Sequence, residues 1–189
     1  FRLRHALPER FVLYLGTIEP RKNLDLLLRA FARLQDPDVK LVLAGGRGWM
    51  YEDVFQTVEE LRLSRDVIFP GFLPGDDLPF WYSAAQVFVY PSTYEGFGLP
   101  VIEAMACGVP TITTNASSLP EAAGDAAILV PPDDSSALAE ALARLLADDS
   151  LQVELAERGL RQAARFTWED AAKSTARVYA KALDLPEVE

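Results

Sequence analysis

The chain alternates short apolar runs with longer stretches in which apolar residues recur every three or four positions. The runs at 11–15, 40–44, 67–69, 87–90, 111–113 and 127–130 are nearly continuous in Val, Leu, Ile, Phe, Tyr and Thr. Runs of that length without polar alternation predict strands buried on both faces, the pattern of a parallel sheet. Between them, Leu24, Leu27, Leu28, Phe31 and Leu34 mark a helix with Asn23 as its cap. Val54, Phe55, Val58 and Leu61 mark a second. A short helix over 77–84 carries Phe80, Trp81 and Tyr82 as packing aromatics, and another spans roughly 99–107. After the sixth strand, Pro131-Pro132-Asp133-Asp134 stops the sheet and caps a helix containing Leu138, Leu142, Leu145 and Leu146. Helices near 151–164 and 168–183 follow, and Thr167 with Asp170 reads as a capping box for the last. This alternation predicts an α/β fold: one doubly wound parallel sheet of about six strands with helices on both faces, three layers in all.

Composition narrows the class. The 189 residues, half of them hydrophobic, suffice for one substantial core. Acidic residues outnumber basic ones 28 to 18, a formal net charge of −10. That balance weighs against a general nucleic-acid or anionic-membrane surface and leaves room for a local basic pocket. The single cysteine, Cys107, excludes an intrachain disulfide and fits a reducing compartment; it reads as a small buried residue. The sole histidine, His5, precedes the first strand, and no His/Cys/Asp cluster has metal-ligand spacing. No apolar run is long enough to span a bilayer, and residues 1–5 do not read as a signal peptide. A start without methionine reads as a fragment of something longer.

Open α/β sheets bind their ligands beyond the carboxyl ends of the strands, so chemistry is expected in the loops there. Neither G-x-G-x-x-G after the first strand nor a P-loop occurs, which weighs against a dehydrogenase or P-loop NTPase. The segment Glu95-Gly-Phe-Gly-Leu-Pro-Val-Ile-Glu103 places one carboxylate on the loop after the fourth strand and a second inside the following helix. Gly96 and Gly98 let the backbone approach a ligand, and Pro100 suits a first helical turn. The amides near Phe97, Gly98 and Leu99 are expected to point at a bound anion. Glu103 lies among Val101, Ile102, Ala104, Met105 and Ala106, so its charge is expected to need a partner, and a sugar diol is one. The plainer alternative is a turn with an exposed carboxylate followed by a carboxylate on a solvated helix face.

Three other loops stand at strand ends. In Gly16-Thr-Ile-Glu-Pro-Arg21-Lys22-Asn23, two cations precede a helix N-terminus and suit a diphosphate, although a solvated loop carries the same charges. In the 45–49 loop, Gly46 allows close approach to a ligand, while Trp49 reads as a core or lid aromatic. The 71–75 loop, with Phe72, is either a set of backbone contacts to a base or only a tight turn.

Together these loops resemble the carboxyl-terminal domain of retaining glycosyltransferases with the GT-B fold, specifically the large family numbered four. The segments 16–23, 44–49, 95–103 and 118–121 (Ser-Leu-Pro-Glu) stand in that family's order and spacing, over nearly the whole chain. The resemblance implies a Rossmann-like donor-binding domain over 11–166, the C-terminal half of a GT-B fold. A linker from an N-terminal domain would occupy 1–10, and 167–189 would be a crossover helix and tail returning to that domain. It implies that Glu103 binds the ribose hydroxyls, that Glu95 contacts the donor sugar near its anomeric carbon as the catalytic residue, and that Lys22 binds the diphosphate. Many members carry an arginine after the glycine that ends the first strand; this chain has Thr17 there, with Arg21 as its substitute. Thr17, Arg21, Lys22, Gly46, Phe72, Phe97, Gly98, Leu99 and Glu103 make up the implied substrate-binding set.

The implied reaction is a retaining, metal-independent transfer of a hexosyl group from a nucleotide diphosphate sugar to a hydroxyl acceptor. The form of the 16–23 loop favours mannosyl and GDP-mannose, with UDP- or ADP-sugars as the other donors. The acceptor, a glycan or lipid-linked glycan, would be held by the N-terminal domain. The expected setting is cytoplasmic or the inner face of the membrane, with peripheral association of the full-length enzyme, no cofactor and no nucleic acid. The fragment alone is expected to bind donor weakly and transfer little. Two other readings stay open: half of a sugar-nucleotide 2-epimerase, which shares the fold, and a non-catalytic nucleotide- or protein-binding domain.

Overall fold

The computed structural model describes residues 1–183; the end of the expected tail, 184–189, lies outside the described residues. Six strands form one sheet: β1 (Arg10–Leu15), β2 (Val39–Ala44), β3 (Val67–Gly71), β4 (Val87–Tyr90), β5 (Thr111–Thr114) and β6 (Ala127–Val130). Their order is β3-β2-β1-β4-β5-β6, and every pairing is parallel. The helices are α1 (Leu24–Ala32), α2 (Glu52–Glu60), α3 (Leu78–Ala84), α4 (Leu99–Ala106), α5 (Leu119–Ala123), α6 (Ser135–Ala147), α7 (Asp149–Ala163) and α8 (Trp168–Ala182). The expected doubly wound α/β fold is present, with each apolar run forming a strand.

The inner strands are unbroken in burial: Phe11 to Tyr14, Leu41 to Ala44 and Val87 to Tyr90 are all at most 1% exposed. Helices on both faces leave such a strand no polar side, which is why its sequence does not alternate. On α1, Leu24, Leu27, Leu28 and Phe31 are buried, and each such side chain contributes roughly 1.5–3 kcal/mol relative to exposure. Asp134 caps α6, accepting from the amides of Ser136 and Ala137 at 2.9 Å. Thr167 Oγ1 accepts from the Asp170 amide at 3.0 Å, the expected cap of α8. Beyond that cap α8 is sparsely packed: Ala180 is its buried residue, while Trp168, Val178 and Tyr179 are exposed. No described helix is long and apolar enough to cross a membrane.

Two local expectations are corrected. Asn23 does not cap α1 through its side chain; it sits in the left-handed region at φ 56°. Its amide instead donates to the carbonyls of Pro91 at 3.1 Å and Pro132 at 2.8 Å, tying the turn before α1 to the ends of β4 and β6. Helix α5, five residues long, was not expected; its buried Leu119, Ala122 and Ala123 are too few to register a helical period.

The topology positions the site. From β1 the chain winds outward through β2 and β3, then crosses back to lay β4 on the other side of β1. Strand order therefore reverses between β1 and β4. The loops leaving those two strands turn to opposite faces and open a crevice between them, where doubly wound sheets bind ligands.

Candidate functional site

The loops that leave β1 and β4 are stitched to each other across this crevice. The Thr93 amide and Oγ1 both donate to the Arg21 carbonyl, at 3.0 and 3.2 Å. Arg21 Nη1 donates to the Tyr94 carbonyl at 2.8 Å. The loop before α5 completes the frame: Ser117 Oγ accepts from the Glu95 amide at 2.8 Å, and Ser118 Oγ donates to the Glu95 carbonyl at 2.9 Å. The backbone of Glu95 is thus fixed from both sides before its side chain makes any contact.

That side chain lies between two cations. Lys22 Nζ stands 2.7 Å from Oε1, and Arg21 Nη1 stands 2.7 Å from Oε2. Lys22 also donates to Tyr90 Oη at 2.6 Å, and Arg21 Nη2 pairs with Glu19 at 2.7 Å. The side chains of Lys22 and Glu95 are 9% and 10% exposed, so their attraction acts at low dielectric, whereas Arg21 at 39% faces solvent. A short 3₁₀ turn, Pro20–Lys22, delivers both cations. The two cations expected to suit a diphosphate thus both contact Glu95, and Glu19 supplies the second carboxylate that balances their charge.

Burial pushes the Glu95 carboxyl up, but hydrogen bonds from Lys22 and Arg21 more than offset this and hold it below the ordinary carboxylate value. A carboxyl depressed in the folded state contributes its full stabilisation above the unfolded value and loses it as pH falls through the folded one. Replacing Glu95 with Gln is expected to flatten the acid limb of the stability curve below about pH 4.5. Urea denaturation at stepped pH reads this directly, and an unchanged limb would show that the cluster has no part in acid stability.

Helix α4 begins immediately after Gly98, whose φ of 101° and buried position demand glycine. An added Cβ would stand 2.8 Å from Leu119 Cδ2. No side chain caps this helix; Pro100 brings no amide hydrogen, and the Val101 amide donates to the Gly98 carbonyl at 2.9 Å. Glu103 lies one turn further on, and here the expectation of a buried charge is corrected. The buried side of α4 is Val101, Ile102, Ala104 and Met105; Glu103 is exposed on the opposite stripe with Leu99 and Ala106. Its partner is the phenol of Tyr82, which donates to Oε2 at 2.8 Å. Glu103 also lines a cavity of about 420 Å³, together with Phe97, Leu99, Ile102, Phe166 and Trp168. The ion cluster, Arg21, Lys22 and Glu95, is not part of this cavity's wall.

The structure thus brings Arg21, Lys22 and Glu95 together, and sets Phe97, Leu99 and Glu103 along one cavity. Thr17 and Gly46 sit on the adjoining ends of β1 and β2, joined by the Ile18 amide to the Gly46 carbonyl at 2.9 Å. Phe72, 80% exposed, follows β3 at the same edge of the sheet. Trp49 is not a core aromatic; it is 62% exposed. Cys107 is half-buried. Sequence reasoning missed Tyr82, Tyr90 and Ser117, and saw Ser118 only as part of a motif. The available signal was a tyrosine at the end of an apolar run, where a phenylalanine would pack as well and a hydroxyl needs a partner. Among the described residues, no group of three or more His, Cys, Asp or Glu side chains is placed to hold a metal ion.

Fold and site together define an α/β domain with a carboxylate set between two cations at the switch point of its sheet. The chain belongs to the glycosyl transferases group 1 family, whose model matches residues 1–162. It is 43% identical over 175 residues to O-antigen chain mannosyltransferase B of Escherichia coli, an alignment covering 89% of this chain and 45% of that protein. Among solved structures it is similar to the sucrose-phosphate synthase of Thermosynechococcus elongatus, with a TM-score of 0.87 and 36% identity over 97% of this chain and 48% of that one. It is also similar to Anabaena HepE in complex with UDP-glucose, with a TM-score of 0.79 and 25% identity over 87% of this chain and 46% of that one. The chain spans less than half the length of each of these relatives. The six-stranded parallel sheet matches these glycosyltransferase neighbours, as the Rossmann-like reading of the sequence expected.

Proposed function

We propose that this chain is the donor-binding, C-terminal half of a retaining, metal-independent GT-B glycosyltransferase of family four. It transfers a hexosyl group, mannosyl in the favoured reading, from a nucleotide diphosphate sugar to a hydroxyl acceptor. The observation that carries the proposal is the convergence of Arg21, Lys22 and Glu95 across the β1–β4 crevice. Two cations beside the uncapped start of α4 suit a diphosphate, and the carboxylate between them suits a sugar attached to it. An entering diphosphate takes over Arg21 and Lys22, and Glu95 is thereby released toward the sugar. As the glycosidic bond breaks, the same cations and amides stabilise the leaving diphosphate electrostatically. Thr17, Gly46 and Phe72 line the approach on the neighbouring strand ends, and Glu103 holds the ribose. The mannosyltransferase relative supports a mannosyl donor and hence GDP-mannose, while the neighbour solved with UDP-glucose supports nucleotide-sugar binding in general. Residues 1–10 serve as the linker, 11–166 as the donor domain, and 167–189 as the crossover to an acceptor-binding domain.

Calorimetry of this chain with GDP, UDP and ADP tests the reading. At least one is expected to bind at up to millimolar concentration. Glu103→Ala is expected to weaken that binding by about ten- to a hundredfold, the loss of hydrogen bonds to a charged group. The fold should survive, because Glu103 is exposed. Binding of none of the three would overturn the assignment.

A further inference from the structure

The hydroxyl of Tyr82 does something the core does not require. Tyr82 is 1% exposed, and its ring packs edge-on against Phe88 with centroids 5.3 Å apart. A phenylalanine would fill that space without bringing a polar group under the surface, and burying a hydroxyl is unfavourable unless it is hydrogen-bonded. The hydroxyl reaches out of the core to Oε2 of Glu103, at 2.8 Å. A carboxylate only accepts, so the proton in this bond belongs to the phenol. Burial first, and the Glu103 charge second, push that phenol well above its ordinary value, so it stays a donor throughout the working range of pH.

An exposed glutamate without a partner samples several rotamers and loses that freedom when it takes a ligand. Glu103 is exposed yet hydrogen-bonded by a side chain whose ring is packed in the core. We propose that Tyr82 is a positioning residue for nucleotide recognition: its phenol fixes Oε2 so that Oε1 and the remaining lone pairs of Glu103 face the ribose diol. This inference rests on the reading of Glu103 as the ribose-binding carboxylate. Tyr82 does not touch the ligand; it acts through Glu103 alone. Its effect therefore appears only for ligands that carry the ribose.

The test compares the unaltered chain with Tyr82→Phe, Glu103→Ala and the double variant. GDP, UDP and inorganic pyrophosphate are titrated calorimetrically into each, and thermal melting checks the fold. Tyr82→Phe is expected to weaken the nucleoside diphosphate about tenfold, the value of one hydrogen bond to a charged group. Pyrophosphate affinity should stay unchanged, and Tyr82→Phe should add nothing in the Glu103→Ala background. A purely structural tyrosine would weaken all three ligands alike, or add its full effect to Glu103→Ala; either result overturns the proposal. So does loss of the fold on Tyr82→Phe, which would assign the hydroxyl to stability. If Glu103→Ala weakens nucleotide binding and Tyr82→Phe does not, the positioning role alone falls. If Glu103→Ala itself has no effect, or neither nucleotide binds, the ribose reading falls and this proposal with it.

Discussion

Replacing Lys22 with Ala is expected to destabilise the domain by about 3 kcal/mol, because it leaves a nearly buried carboxylate short of its main partner. Lys22 Nζ meets Glu95 Oε1 and Tyr90 Oη at 2.7 and 2.6 Å, and both charged side chains are about nine-tenths buried. Arg21 remains, but it is partly solvated and shared with Glu19, so it compensates only in part. For a domain of this length such a loss lowers the melting temperature by about 6–12 °C. The diagnostic measurement is a double-mutant cycle with Glu95→Gln, which removes the stranded charge. The double variant should recover much of the Lys22→Ala loss. If the two losses simply add, the pair is not coupled, and the close geometry has no energetic consequence.

Gly45→Ala should be at least as damaging, on the order of 4 kcal/mol, from a different cause. Gly45 adopts a φ of 145°, and a Cβ there would fall 1.9 Å from the carbonyl oxygen of Gly16 and 2.6 Å from its carbon. Both atoms are backbone, so no side chain can turn aside. Relief requires the loop after β1 to lift off the loop after β2. That breaks the Gly16 amide to Ala44 carbonyl bond and the Ile18 amide to Gly46 carbonyl bond, both 2.9 Å. The same loop carries Arg21 and Lys22, so the damage reaches the site. Gly46→Ala is the control: nothing lies within 4 Å of a Cβ at that position, and its cost should stay within about 0.5 kcal/mol. Guanidinium denaturation of the two variants side by side reads the contrast. Equal stabilities would mean the two loops are not locked together.

These two sites also show where the sequence is legible and where it is not. Each strand was visible because a parallel strand covered on both faces admits almost no polar residue. The acid and base of the site were visible as residue types at strand ends. That Glu95 would sit on Lys22 and Arg21 was not, since 73 residues separate Lys22 from Glu95 and only strand order brings their loops together. Hydrophobic pattern carries no strand order. Glu103 misled for a different reason. The exposed stripe of α4 carries Leu99 and Ala106 beside it, so apolar residues on the open face concealed the amphipathic pattern and made the charge look buried. Asn23 looked like a cap because caps and left-handed turns favour the same side chain; which of the two it forms depends on carbonyls 68 and 109 residues away.

The sparse packing of α8 has a consequence for cooperativity. A fifteen-residue helix in water is marginal when its own hydrogen bonds must sustain it, and α8 buries Ala180 alone against the rest of the molecule. Its helix–coil equilibrium is therefore expected to be largely local. The amides of α8 are expected to exchange with solvent well ahead of those of the sheet, a difference that hydrogen exchange reads directly.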